Sequence, residues 1–326
     1  MTHPVSRRAH AKINLALSLG PPQPPDAPKP GWHPIATWMA CITLWDDVTV
    51  TPLAPGAPRE FSVAWAPDAP RPTPIDWATE HDLAARAHVA LETALGHPLP
   101  ARVEVRKRIP VGAGLGGGSS DAGATLLALR HALAPDTPDD ALRSVAASLG
   151  SDVAFFVDDA GDAPRPALVE GFGERVERLS PVAADLVLVL PPYACETRAV
   201  YRAFDEVIDE RDAARRRAWD LRFGEGRGRA PSPHHLRADL VRARATRAKG
   251  AVDGRLLFND LAPAAWRVEP RLGALVGELS RATRREAHVT GSGSALFIVT
   301  DRPEKTMEQV TRALPEGHVA LAVRLV

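Results

Sequence analysis

The stretch Pro110-Val111-Gly112-Ala113-Gly114-Leu115-Gly116-Gly117-Gly118-Ser119-Ser120 carries the clearest chemistry in this chain. Its glycines free the backbone to take positive φ and to approach a ligand closely. Bare N–H groups, small side chains and the start of a helix beyond them together make a cradle for an anion such as a phosphate. The two serines fall where a helix N-cap is expected, with Asp121 in the first turn. The loop lacks the Gly-Lys-Ser/Thr ending of a Walker A loop, and the residues after it do not read as a dinucleotide-binding unit. A flexible linker or a tight turn without a ligand is the plainer reading of glycine-rich sequence. The proline at the entry and Ser-Ser at the exit speak against the linker.

Three further places hold chemically apt residues. Asp152 comes after a Gly150-Ser151 turn and precedes Val153-Ala154-Phe155-Phe156. It reads either as a helix-terminal acid or as a carboxylate aimed into a cleft with apolar backing, the usual setting of a general acid or base. Lys12 and Asn14 share one face of a strand, since strand side chains repeat every two residues. On their own they are no more than a solvated pair. Trp32-His33, at the mouth of a proline-rich loop, fits plain packing or the stacking and hydrogen bonding of a planar ring.

The elements that must position these residues can be read from pattern. Alternation from Lys12 to Leu19 predicts a strand. A hairpin is expected through Trp38 to Leu44, a turn at Asp46-Asp47, and Val48 to Thr51. Phe61 to Trp65 is a short strand, and Asp82 to Leu95 a helix closed by Gly96. Ala101 to Ile109 is the strand that feeds the glycine loop, and a helix leads out from Ala124. Further helices are expected at 139–149, from Glu196-Thr197, from Phe258, and within 268–283. Ala167 to Leu179 reads as a strand pair turning at its glycines. Leu186 to Leu190 is a buried strand, and further strands fall at 287–290, 296–299 and 319–326. Gly291-Ser292-Gly293-Ser294 is a second glycine turn. Strands and helices alternate without a regular βαβ period, which favours an α+β fold.

Composition sets the bounds. The 326 residues suffice for two domains or one large one. Forty basic and forty acidic residues cancel to a net charge of zero, so no bulk attraction to nucleic acid or an anionic membrane is expected. Cys41 and Cys195, far apart, make neither a disulfide framework nor a zinc site, which suggests a reducing cytoplasm. The polar N-terminus reads as no signal peptide, and no apolar run approaches the roughly 20 residues of a membrane span. The Arg-rich stretch 205–250, with Gly-Arg-Gly-Arg-Ala-Pro-Ser-Pro in its middle, reads as a solvated helical excursion. Its interspersed acids and scarce aromatics count against a nucleic-acid patch.

Six segments, in order, carry a family resemblance: Ala11-Lys12-Ile13-Asn14-Leu15; Gly31-Trp32-His33; the glycine loop; Leu149-Gly150-Ser151-Asp152-Val153-Ala154-Phe155-Phe156; Asn259-Asp260-Leu261; and Thr290-Gly291-Ser292-Gly293-Ser294. Together they resemble the GHMP kinases, and within them the branch acting on a cytidine-diphosphate-linked methylerythritol. The resemblance implies a two-domain α+β fold, here 1–180 and 181–326, with ATP and the second substrate in the cleft between. It implies transfer of the γ-phosphate of ATP to the 2-hydroxyl of the methylerythritol moiety, within isoprenoid precursor synthesis. Asp152 would take the hydroxyl proton and Lys12 would orient the hydroxyl and neutralise charge. Lys107, Pro110, Gly112, Ala113, Gly114, Leu115, Gly116, Gly117, Gly118, Ser119 and Ser120 would meet the nucleotide, which brings Mg²⁺. Asn14, Trp32, His33, Thr197, Tyr201, Gly291, Ser292 and Gly293 would meet the substrate, with Trp32 and Tyr201 around cytosine and His33 bonded to it. No resident metal, nucleic-acid or membrane partner is implied, and the chain would be a monomer or homodimer.

The chain departs from the family pattern at Pro30, where an acid is usual, and at Ala113 and Asp121, where Gly and Asn are common. Two other readings stand beside the first: a GHMP kinase for another alcohol of the homoserine or mevalonate type, and a non-catalytic nucleotide-binding relative. Lys12 and Asp152 together argue against the second. RNA binding by the Arg-rich stretch would show itself as steep salt dependence.

Overall fold

A computed structural model of the chain describes residues 3–223 and 234–326. The Gly-Arg-Gly-Arg-Ala-Pro-Ser-Pro insert lies outside the described residues. The first sheet is built on two long antiparallel strands, β1 (Val5–Leu19) and β2 (Ile35–Pro52). The proline-rich loop joins them, and its ends are tied by Gly20 N–H to the Pro34 carbonyl at 2.8 Å. β3 (Glu60–Trp65) and β4 (Ala101–Lys107) extend the sheet beyond one half of β2. β5 (Ala167–Gly171) and β6 (Arg175–Arg178) extend it beyond the other half. Alternating burial along β4 is what a strand with one face on the core requires.

The expected turn at Asp46-Asp47 does not form, and β2 runs straight through it. Asp46 is wholly buried and Asp47 pairs with Arg108, so both acids serve the end of β4 instead of reversing the chain. β1 is also longer than its alternation indicates, because its first half pairs with Asp46–Val50 of the unbroken β2.

Helices α1 (Leu83–Leu95), α2 (Gly117–Leu133), α3 (Asp139–Leu149) and α4 (Val153–Phe156) cover this sheet. Asp82 caps α1 through Ala84 N–H, and Gly96 closes it in the left-handed region. The aliphatic side of α2 (Ala122, Leu126, Leu127, Leu129) is buried in one cluster with Val48, Val50, Val103 and Val105. That is the burial that fixes the helix on the sheet.

The second sheet has the order β11-β7-β10-β9, all antiparallel, from β7 (Asp185–Leu190), β9 (His288–Val289), β10 (Leu296–Thr300) and β11 (Val319–Arg324). The helices that follow in this half are α5 (Thr197–Phe223), α7 (Ala262–Val268), α8 (Pro270–Thr283) and α9 (Pro303–Ala313), whereas α6 (Ala238–Arg247) lies against β1, β2 and β5 of the first sheet. The excursion is thus helical on both sides of the insert. The helix expected from Phe258 begins only at Ala262, because β8 (Phe258–Asn259) is a strand parallel to β1. That short strand belongs to the first sheet although it comes late in the chain. Leu188, Leu190 and Phe297 of the second sheet share one core with Ile13, Leu15 and Trp38 of the first.

The β5–β6 turn buttresses the segment before α4. Gly173 has φ +100, and a Cβ there would lie 1.8 Å from the Ser151 carbonyl oxygen. Gly173→Ala is therefore expected to cost about 2–3 kcal/mol in a urea unfolding curve. An unchanged midpoint would show that this turn does not bear on Ser151.

Candidate active site

Lys12 and Asn14 project from β1 between two register shifts, at His10/Lys12 and Asn14/Ala16. Such irregularities re-aim side chains, and bulges recur beside active sites. Lys12 Nζ donates to Asn14 Oδ1 at 2.7 Å and lies 3.4 Å from Asp152 Oδ2. Asp152 stands at the N-cap position of α4 but makes no capping bond with its side chain. Of its two possible roles, the carboxylate facing a cleft is the one adopted. The ammonium is 5% exposed and the carboxylate 24%, so Asp152 is the member of the pair open to a ligand. Asn14 is held in turn: its Nδ2 donates to Thr37 Oγ1 at 2.9 Å, and its backbone N–H donates to Thr290 Oγ1 at 3.1 Å.

The glycine loop crosses directly above. Lys12 N–H donates to the Leu115 carbonyl at 2.9 Å. Gly112, Gly114 and Gly116 all have positive φ, and Gly116 is the N-cap of α2, so the helix starts before the serines. The expected serine cap is thereby replaced by a glycine in the left-handed region. Ser119 faces the cleft from the first turn, whereas the Ser120 hydroxyl is buried and donates to the His10 carbonyl at 2.7 Å. At Gly114 a Cβ would lie 2.3 Å from the Thr290 carbonyl oxygen. The loop is therefore locked against the second glycine turn, as the Ala295 N–H bond to the Ala113 carbonyl at 3.1 Å also shows. Asn259 Nδ2 holds that turn through the Val289 and Gly291 carbonyls, at 2.9 and 2.8 Å.

These groups line a cleft of about 510 Å³, together with Lys107, Pro110, Gly112, Ala113, Thr197, Tyr201, Gly291 and Ser292. Trp77, His81 and Leu83 also line it, and no motif in the sequence marks them. A Trp in a proline-laden stretch is the one signal available for them. A larger cavity of about 910 Å³ lies around Asp185, Asp253, Arg285 and Arg324. Several of its charges pair with one another, as in Asp253–Arg255 and Arg285–Asp301. It holds none of the residues singled out from the sequence, so the chemistry belongs to the smaller cleft.

Thr197 Oγ1 is 3.1 Å from Ser292 Oγ, joining α5 to the second turn. Tyr201 lines the cleft, and burial, reinforced by the Asp152 carboxylate, pushes its phenol above the usual range. His33 sits behind it, with ring centroids 5.4 Å apart. Its Nδ1 donates to the Gly20 carbonyl at 2.9 Å, and its Nε2 faces Asp205 Oδ1 at 3.5 Å. Burial raises the Asp205 carboxyl, with His33 opposing and Asp209 adding to the rise. Trp32 is not among the cleft-lining residues. It is 52% exposed, edge-on to Phe172 at 6.2 Å, with Lys29 Nζ 5.0 Å from its ring. Gly293 lies behind the cleft lining, its Cα side against Leu272, Val289 and Cys195.

Lys107 reaches the cleft from below but is fully engaged. Its Nζ donates at 2.6 Å to both Asp46 Oδ2 and Asp121 Oδ2. Burial alone would lower the ammonium, but the charges and hydrogen bonds of Asp121 and Asp46 reverse that and keep it protonated. One cation cannot compensate two buried carboxylates. Asp46 also accepts the Arg108 and Ile109 N–H groups, while Asp121 Oδ1 has no partner. Burial, aided by the Asp46 charge, therefore raises the Asp121 carboxyl well above its ordinary range.

Residues 82–159 match the family model described as GHMP kinases N terminal domain. The 4-diphosphocytidyl-2-C-methyl-D-erythritol kinase of Caulobacter sp. (strain K31) is 35% identical over 297 residues, covering 89% of this chain and 87% of the relative. The enzyme of the same name from Thermobifida fusca (strain YX) is 32% identical, covering 97% of this chain and 93% of its own. A crystal structure of 4-(cytidine 5'-diphospho)-2C-methyl-D-erythritol kinase superposes with a TM-score of 0.69 at 27% identity, over 99% of this chain and 100% of that one. A homoserine kinase from Cytophaga hutchinsonii, at 14% identity and TM-score 0.58, shares the fold.

A raised carboxyl binds its proton more tightly in the folded than in the unfolded chain, so its contribution to stability falls as pH rises through the raised value. Asp121→Asn keeps the hydrogen bond from Lys107 and removes the titration. The variant is expected to melt about 2–6 °C higher than the parent at pH 8, with the gap narrowing towards pH 5. A pH-independent difference would place the buried proton elsewhere.

Proposed function

The chain belongs to the 4-diphosphocytidyl-2-C-methyl-D-erythritol kinases of the GHMP superfamily, and from that membership we propose how its cleft performs the transfer of a phosphoryl group from ATP to the 2-hydroxyl of the methylerythritol moiety. The observation that carries the reading is the Lys12–Asp152 pair, set in the same cleft as the N-terminus of α2 and Tyr201.

The triphosphate rests on the loop from Gly112 to Ser119. There the N–H groups at the start of a 17-residue helix and the helix dipole meet its charge. Trp77, His81 and Leu83 form the wall on the α1 side of this loop, where Leu83 Cδ1 lies 3.6 Å from a Cβ built on Gly118. Magnesium fits as an ion carried by the nucleotide: the Ser119 hydroxyl is a hard oxygen donor facing the cleft in the first turn of α2. Bound there, the ion would screen the phosphate charge that backbone dipoles alone leave uncompensated.

The acceptor hydroxyl meets Asp152. Phosphoryl transfer passes through a loose transition state with little bonding to the nucleophile, so it asks for positioning and late proton acceptance more than for a strong base. The outward carboxylate supplies both. Lys12 Nζ, steered by Asn14, holds that carboxylate in place and offsets charge building on the transferring group. Cytosine lies against Tyr201, with His33 behind it and Trp32 on the loop leading into His33. Thr197, Ser292 and the Gly291 and Gly293 backbone close the opposite side. A division near residue 180, a monomeric or homodimeric state and a cytoplasmic location complete the proposal. No helix among the described residues is long and apolar enough to cross a membrane, and both cysteines are buried and free.

ADP release with ATP and Mg²⁺ separates the readings. Turnover is expected with 4-diphosphocytidyl-2-C-methyl-D-erythritol and not with homoserine or mevalonate. Asp152→Ala should lower kcat by about 10²–10⁴-fold with little change in the ATP KM. Turnover of either other alcohol in its place would leave the phosphate chemistry standing and overturn the cytidine side.

A further inference from the structure

Asp152 heads a helix too short to hold it. α4 has four residues, a single turn, and one turn has little stability of its own in water. The Asp152 side chain makes no capping bond and lies 3.4 Å from Lys12 Nζ. Its position is therefore set by what grips the rest of the segment. Towards the glycine loop the grip is packing: a Cβ on Gly123 would lie 2.6 Å from Phe156 Cβ, and one on Gly116 3.2 Å from Phe156 Cζ. On the opposite side it is a cation. Arg178, at the end of β6, is 15% exposed, and its guanidinium stands 5.3 Å from the centre of the Phe155 ring.

A helix leaves its last carbonyls without partners of its own. Here the Ala154 and Phe156 carbonyls accept from Val157 and Asp158 N–H, at 3.3 and 3.2 Å. Arg178 Nη2 donates to the Phe155 and Val157 carbonyls, at 2.7 and 3.1 Å. Its Nη1 donates to the Arg165 carbonyl at 3.0 Å, and its Nε lies 3.4 Å from Asp158 Oδ2. Asp158 would suffice to meet the charge; the other bonds fix a helix terminus. One hairpin thus holds the segment at both ends, with Gly173 against Ser151 just before Asp152 and Arg178 on the carbonyls after it. We propose that Arg178 is a positioning residue for phosphoryl transfer, acting on Asp152 through the backbone of α4. This inference rests on the reading of Asp152 as the group that takes the hydroxyl proton. A displacement of about 1 Å in a reacting group can cost on the order of 10²-fold in rate, even when its cause lies far from the chemistry.

The test is steady-state ADP release by the full chain with ATP, Mg²⁺ and 4-diphosphocytidyl-2-C-methyl-D-erythritol. Arg178→Met keeps the bulk beside Phe155 and removes the donors. It is expected to lower kcat about 10–100-fold, with the ATP KM within about twofold of the parent. Arg178→Lys keeps the charge but not the planar fork, and is expected to recover part of that loss. In the Asp152→Ala background, Arg178→Met should lower kcat by less than about twofold more, because the group it positions is gone. An equal loss in both backgrounds, or an unchanged kcat in the single variant, overturns the proposal and leaves Asp152 in its role. Should Arg178→Met fail to bind a non-hydrolysable ATP analogue, Arg178→Lys is read by the same comparison of backgrounds. An Asp152→Ala chain that keeps the parent kcat fells the reading of Asp152 itself, and the proposal with it.

Discussion

A buried ammonium is the constraint around which this molecule is arranged. Lys12 sits in the longest sheet, almost out of water, and a charge in that position is tolerated only if its hydrogen bonds are met. Asn14 meets one at 2.7 Å and the Asp152 carboxylate lies 3.4 Å away. Asn14 can do so only while Thr37 and Thr290 hold it, and Thr290 belongs to a turn that Asn259 fastens through two carbonyls. Strand, glycine loop, second turn and short helix α4 are thus placed by one requirement, that the charge remain paired and still reach a ligand. Breaking any of these supports frees a side chain on which the ammonium relies.

The electrostatics of the cleft obey the same requirement. Both lysines that line it are already paired, Lys12 with Asp152 and Lys107 with Asp46 and Asp121. In the function proposed above, the polyphosphate would be received mainly by peptide dipoles on rigid backbone, which need no reorganisation as charge moves during transfer. Lys107 illustrates the division of labour. It lines the cleft, but its bonds tie the end of β4 to β2 and α2, which sets where the loop begins.

Much of this was legible in residue order. The glycine loop, the strand that feeds it and α1 with its Asp82 and Gly96 ends obey local rules, and the structure has them, while for Asp152 the sequence offered the cleft-facing role as one of two. What local rules missed were residues whose partners are remote. Asp46-Asp47 has the composition of a turn, yet Lys107 and Arg108, some sixty residues on, convert it to strand. Ser119-Ser120 looks like a cap, but Gly116 takes the left-handed position first, and Ser120 bonds the His10 carbonyl instead. Phe258-Asn259 looks helical until the open edge of β1 claims it. Trp77 and His81 carry no pattern at all; only the folded loop brings them to the cleft.

The bond between Asn14 N–H and Thr290 Oγ1 spans 276 positions of chain, and it gives the site a history as well as a shape. Lys12 finds its own partners at Asn14, Leu115 and Asp152, but the hydroxyl that steadies Asn14 comes from a far more distant segment. Non-local closures of this kind come late, after the chain has paid for long loops. A partly folded chain that has joined the glycine loop, Lys12 and Asp152 still lacks the Thr290 hydroxyl beside Asn14. The site is therefore finished only when segments from both sheets have docked, so its shape reports on the folding of the two together.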